Sequence, residues 1–203
     1  MDTKEEFIEI FKNNIKRDGS EELLKFLNNS DYFTAPASTK FHSAFTGGLC
    51  LHSINVYKRF LSLVKQEYGE NYTDKVSDET IAIVALLHDI CKVNYYEKDY
   101  KNVKRYSENG SKTDNKGKFD WETEEIFVVK DSLPYGHGEK SVYMISSFIK
   151  LTREESMAIN WHMGGFDLRV KAGSYSISDA FYTYPLAVLF HIADIEATYL
   201  DER

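Results

Sequence analysis

The segment from Ile81 to Lys92 constrains this chain more than any other. Seven consecutive apolar residues, Ile81 to Leu87, predict an apolar helix, and they run straight into His88, Asp89 and Lys92. Ile81, Val84, Ala85 and His88 fall at i, i+3, i+4 and i+7, so the imidazole shares the inward face. Asp89 then lies about 100° further round the helix. A carboxylate and an imidazole that flank one small object suit a metal ion. A lone pair of this kind also suits a buried histidine held by a neighbouring carboxylate, and only the rest of the chain decides between them.

Patterning along the chain predicts helices over residues 3–17, 21–28, about 49–68, the Ile81 segment, 140–149, 152–162 and a last one from Ser178 or Pro185. Ser77 or Asp78 caps the Ile81 helix, and Thr152 to Glu155 reads as a capping box. Gly47 and Gly48 open the 49–68 helix and place His52 in its first turn, where backbone approaches closely. Residues 93–132 break the pattern. Short β-prone runs there, separated by turn signals at Asn109-Gly110 and Lys116-Gly117, predict a small hairpin-like flap. One domain, 1–203, is expected, with 1–40 as an N-terminal helical extension.

Charge and composition narrow the class. Net charge is −7, which disfavours a grip on long nucleic acid and favours a small substrate. No apolar run reaches the 18 residues of a membrane span, so no membrane partner is expected. The stretch from Met1 to Glu6 lacks the layout of a secretion signal. Two cysteines, Cys50 and Cys91, make no disulfide framework, and a cytoplasmic setting is expected.

His52, His88, Asp89, His137, His162 and Asp194 each lie on, or at the end of, a helical segment. Gaps of 36, 49, 25 and 32 residues between successive positions match no compact zinc-finger spacing. They suit a bundle whose helices each offer a ligand or two to a central site. Imidazoles and carboxylates favour a divalent ion, Mn, Fe, Co, Ni, Zn or Mg, over a structural thiolate site. His191, one turn before Asp194, is expected to support such a site from behind or to lie in the core.

In this order, Gly-Gly-Leu-Cys-Leu-His52 and Leu-Leu-His88-Asp89-Ile-Cys-Lys92 followed by Asp194, the chain resembles the HD-domain metal-dependent phosphohydrolases, from about Phe41 to Glu196. The resemblance implies an all-α, HD-type helical bundle, with the flap at 93–132 as an insertion. It implies that His52, His88, Asp89 and Asp194 bind a first metal, and that His137 and His162 add a second with Asp89 as the bridge. One or two ions are thus expected. Where the family commonly has glycine this chain has Cys91, a departure expected to change packing more than chemistry.

The implied activity is hydrolysis of a phosphate ester, a nucleotide or another small phosphate compound, by metal-activated water. Asp89 and Lys92 are the expected catalytic residues, Lys92 as a point charge for phosphate. His42 in its loop and Lys140 near the start of a helix are expected to meet substrate. The flap's Tyr95, Tyr96, Tyr106 and Trp121, mixed with Lys98, Lys101, Lys104 and Arg105, suit a base and phosphates. Alternatives are a nuclease or phosphodiesterase on short RNA or DNA, a di-iron oxygenase, and a non-catalytic nucleotide-binding sensor. Exposed aromatics in the flap leave room for a homodimer.

Overall fold

The computed structural model describes residues 2–202, a helical body with one β excursion. In chain order the helices are α1 (Thr3–Asn14), α2 (Ser20–Asn29), α3 (Gly48–Tyr68), α4 (Asp78–Leu87), α5 (His137–Ser146), α6 (Arg153–Asn160), α7 (Leu168–Lys171), α8 (Ser176–Thr183) and α9 (Pro185–Glu196). Strands β1 (Tyr96–Tyr106), β2 (Lys112–Asp114) and β3 (Gly117–Val129) come between α4 and α5. Helix α4 is the axis of the body. Every residue from Ile81 to Leu87 is buried, under α1, α3 and α6. Each large aliphatic side chain so covered contributes about 1.5–3 kcal/mol. Helix α9 packs on both α3 and α6 and completes the enclosure.

Local signals set the helix starts. Ser77 accepts a hydrogen bond from the Thr80 backbone N–H at α4, and Thr152 and Glu155 form a reciprocal capping box at α6. At α3 the glycines are required by space as well as by angle. Gly47 has φ 86°, and a Cβ on Gly48 would lie 1.9 Å from the Ser43 carbonyl oxygen. That close approach folds residues 30–47 over the start of α3. Tyr32 fixes the same loop from the other end. Its buried hydroxyl donates to the Leu86 carbonyl at 2.6 Å and meets Ser53 Oγ at 2.8 Å.

The all-α expectation is corrected. Helix accounts for 54% of the protein, but 13% lies in a three-stranded antiparallel sheet of order β1-β3-β2, so the fold is α+β. The flap's short β-prone runs merge into long strands, paired from Tyr96 with Val129 to Tyr106 with Phe119. The charged residues between the runs, which break the apolar pattern in one dimension, are partners across the strands. Lys98 meets Glu125 at 2.8 Å, and Arg105 meets both Glu122 and Glu124. Only Phe119 of the strand residues described is buried, under Tyr106, Trp121 and the Lys104 ammonium. The sheet therefore stands off the body and joins it at its root, where the Tyr96 hydroxyl donates to the Ala37 carbonyl at 3.4 Å. Among the described residues no helix is long and apolar enough to cross a membrane.

Candidate metal centre

Helix α4 stops at Leu87, before the polar residues that follow it. His88 keeps helical angles, Asp89 leaves them with φ −104° and ψ 17°, and Ile90–Lys92 make one 3-10 turn. The break points the Asp89 carboxylate into a space walled by the N-terminal part of α3, the start of α5, the end of α6 and the last turn of α9. His52, His137, His162 and Asp194 enter that space from those four segments. The six residues that the sequence singles out are thus brought together, although they span 143 positions from His52 to Asp194.

Asp89 is the hub. Its Oδ2 lies 3.5 Å from His88 Nε2 and 3.7 Å from His52 Nε2. Its Oδ1 lies 2.8 Å from His137 Nε2 and 3.6 Å from His162 Nε2. Asp194 Oδ1 stands 3.2 Å from His52 Nε2 and 4.0 Å from His88 Nε2. His52, His88, Asp89 and His162 are all at most 2% exposed. The side chain of Asp194 is 14% exposed, and that of His137, at 30%, forms the open side of the centre.

Two helix ends orient two of these rings. The last turn of a helix has carbonyls without intrahelical donors. His88 Nδ1 donates to Ala85 O at 2.8 Å at the end of α4, and His162 Nδ1 donates to Ile159 O at 2.6 Å at the end of α6. Each ring is thereby held as the tautomer whose bare Nε2 faces the centre. His162 Nε2 is buried and has no hydrogen-bond partner among the described residues. A buried nitrogen left bare costs about 1–3 kcal/mol unless something binds it.

Electrostatics concentrate negative charge at the same point. Burial opposes ionisation of Asp89, but Lys92, then His88, the hydrogen bond from His137 and the nearby His162 ring hold it well below the usual carboxylate range. Lys92 Nζ is 2.5 Å from Asp89 Oδ2. Asp194 is lowered in the same way, against burial, chiefly by His52. Burial keeps the pKa of His88 and of His137 below the ordinary value. On His52 burial is overridden by Asp194 and Glu202, which raise the pKa to about 9. Asp194 faces His52 Nε2 and Glu202 faces Nδ1, so a cation at the centre takes the place of the Nε2 proton while the Nδ1 proton stays hydrogen-bonded to Glu202.

The residues fit a metal. Around one ion, donors bound at about 2.1 Å stand about 3–4 Å apart. The triads His52–His88–Asp194, His88–Asp89–His162 and Asp89–Cys91–His137 each bring one donor atom per residue within 4.8 Å of the others. A fourth triad, His42–His52–Glu202, lies behind His52. Imidazole and carboxylate donors with a bare, buried Nε2 make a suitable set for a divalent ion, whose identity they leave broad.

Of the two side chains expected to meet substrate, Lys140 pairs with Asp131 at 2.6 Å, under the Tyr95 ring, and lines a cleft of ≈ 360 Å³. His137, Cys91, Tyr95, Tyr135 and Arg169 line the same cleft, so it opens on the exposed side of the centre. His42 lies behind His52, ring centroids 4.9 Å apart, and burial, then His52, lower its pKa to about 4. Residues 95–130 hold eight basic and eight acidic side chains, and four of the cations, Lys98, Lys104, Arg105 and Lys130, are ion-paired within the flap.

Sequence reading misses Glu202. Its Oε1 accepts from His52 Nδ1 at 3.0 Å and from Asn55 at 3.1 Å, and its Oε2 accepts from Ser43 at 2.6 Å. It follows a π-helical turn, Ala197–Asp201, that carries α9 onward. An acid at a helix end is too common to stand out, and only the need of His52 Nδ1 for an acceptor marks it. Carboxylates behind ligating histidines fix the ring and raise its basicity, and losing one typically costs about 10–100-fold in metal affinity. Glu202→Gln is expected to weaken metal binding by that factor with the fold intact, as read by competition with a chromogenic chelator. His191 also works from behind, its Nδ1 donating to the His162 carbonyl at 2.6 Å.

No family model, curated protein or solved structure matches this chain.

Proposed function

We propose that this centre holds two divalent ions bridged by Asp89, and that the protein is a metal-dependent phosphohydrolase of the kind its HD-like motifs resemble. The observation that carries the reading is the division of one carboxylate. Asp89 Oδ2 faces His52 and His88, with Asp194 beside them, while Oδ1 faces His137 and His162. One carboxylate serving two histidine pairs is what a bridged pair of cations requires, and a buried ion pair needs far less. When bound, such ions supply Lewis acidity toward water and toward a phosphoryl oxygen.

The chain's own groups define the rest. Asp194 and Glu202 hold His52 in place, and Asp89 holds the two histidine pairs in register. Lys92 Nζ, buried against Asp89, is the nearest fixed positive charge to a phosphoryl group at the centre. The cleft beside His137 has the size of a small-ligand site. Tyr135, half exposed and stacked on Tyr143 with ring planes 14° apart, offers a flat face for a nucleobase, and Lys140 lies across the cleft. A compact phosphate ester, such as a mononucleotide, is therefore the preferred substrate. The equal numbers of acidic and basic side chains in the flap weigh against a nucleic-acid strand laid along it.

Phosphate release from a panel of nucleotides and small phosphomonoesters, with Mn, Co, Mg or Ni, tests this directly. Turnover with at least one metal, abolished in His88→Ala, is the expected result. No turnover of any phosphate compound by fully metal-loaded protein would remove the hydrolase reading.

A further inference from the structure

Cys91 occupies the middle of the 3-10 turn that follows Asp89, and it is 2% exposed. Its Sγ lies 3.4 Å from His137 Nδ1 and 3.8 Å from His137 Nε2. The same Nε2 is 2.8 Å from Asp89 Oδ1. Asp89, Cys91 and His137 thus bring a carboxylate oxygen, a sulfur and an imidazole nitrogen within 4.8 Å of one another. A second observation marks this half of the centre as a ligand site. His162 Nε2, buried and without a hydrogen-bond partner among the described residues, is aimed at the same Asp89 oxygen from 3.6 Å. The other half contains no sulfur: His52, His88 and Asp194 are nitrogen and oxygen donors only.

We propose that Cys91 is a thiolate ligand of the ion held by Asp89 Oδ1, His137 and His162, which makes the two metal positions chemically unequal. Tetrahedral bonds of about 2.1 Å to nitrogen and 2.3 Å to sulfur place those atoms about 3.6 Å apart. The 3.8 Å between Sγ and His137 Nε2 is close to that value, so the sulfur reaches the ion with little movement. On binding, the S–H bond breaks, the S–metal bond forms and the proton passes to solvent; no electron is transferred. Coordination to a cation is sufficient to deprotonate a thiol. Soft sulfur then selects Zn, Co or Fe over Mg or Mn at this position, while the His52–His88–Asp194 position stays permissive.

This inference rests on the metal-centre reading, and cobalt separates the two. The metal-free full chain is titrated with Co(II), following both bound metal per chain and near-ultraviolet absorption. Two cobalt ions per chain with a sulfur-to-cobalt charge-transfer band, retained in Cys50→Ala and lost in Cys91→Ser and Cys91→Ala, is the expected result. Affinity for one of the two ions is expected to fall by more than about tenfold in the Cys91 variants, since losing even a hydrogen-bonded neighbour of a ligand costs 10–100-fold. Two bound ions without a charge-transfer band would overturn the thiolate assignment and leave the centre standing. A band that persists in both Cys91 variants would also overturn it. No bound cobalt in the wild-type chain would overturn the centre itself, and this proposal with it.

Discussion

Asp89→Ala is expected to bind neither ion and, compared metal-free, to lose about 3–5 kcal/mol of stability, the usual cost of leaving one partner of a buried ion pair alone. The partner left behind is Lys92, whose side chain is 11% exposed and whose Nζ has Asp89 Oδ2 at 2.5 Å. Urea unfolding of both proteins in chelator reads the stability term, and equilibrium dialysis reads the metal term. Asp89→Ala combined with Lys92→Met is expected to recover a large part of the stability and none of the metal binding, because an apolar replacement for a buried pair is often neutral. Unchanged metal affinity in Asp89→Ala would mean that the carboxylate is not the hub.

The second large effect lies away from the centre. Glu155, fully buried at the start of α6, accepts from Arg17 at 2.7 and 3.0 Å, from Thr80 Oγ1 at 2.9 Å and from the Thr152 backbone N–H at 2.8 Å. Arg17 also reaches Glu79, so one carboxylate joins the α1–α2 turn, the start of α4 and the start of α6. Glu155→Ala removes the buried partner of Arg17, which keeps Glu79 and the Lys150 carbonyl, together with the acceptor for the Thr152 N–H, and is expected to cost about 2–4 kcal/mol. Burial opposes the charge on Glu155, but Arg17, the Thr152 N–H and Thr80 lower its pKa below the ordinary 4.5. A lowered carboxylate pKa stabilises the fold fully above the unfolded value and loses that contribution as pH falls through the folded one. Wild-type stability is therefore expected to drop below about pH 4.5 more steeply than that of Glu155→Gln, as thermal melts across that range report.

Much of the centre was legible because its candidate ligands sit on strongly periodic or well-punctuated segments. The run from Ile81 to Leu87 could only be buried, so whatever followed it was carried inside. The glycine pair before His52 and the capping box before His162 marked their helices. What sequence alone did not reveal came from the third dimension. The helical period carried on through Asp89, yet the chain breaks there, and the break is what turns the carboxylate toward two histidine pairs. The flap read as short runs because cross-strand charge partners look like interruptions along one strand, and the all-α class was what the family resemblance implied. Lys140 and His42 carry no spacing signal for their surroundings: Lys140 pairs with Asp131 at the edge of the cleft, and His42 stacks behind His52. Glu202 and the Cys91–His137 contact join positions 150 and 46 residues apart with no spacing rule to announce them.

The most direct test of an Asp89-bridged centre is metal content of the purified full chain after loading with excess Co and removal of unbound ion. Two ions per chain in the wild type, with none in Asp89→Ala, is the predicted result. A wild-type chain that retains no ion, with its fold intact, would contradict the centre and leave the six side chains as a buried hydrogen-bonded cluster.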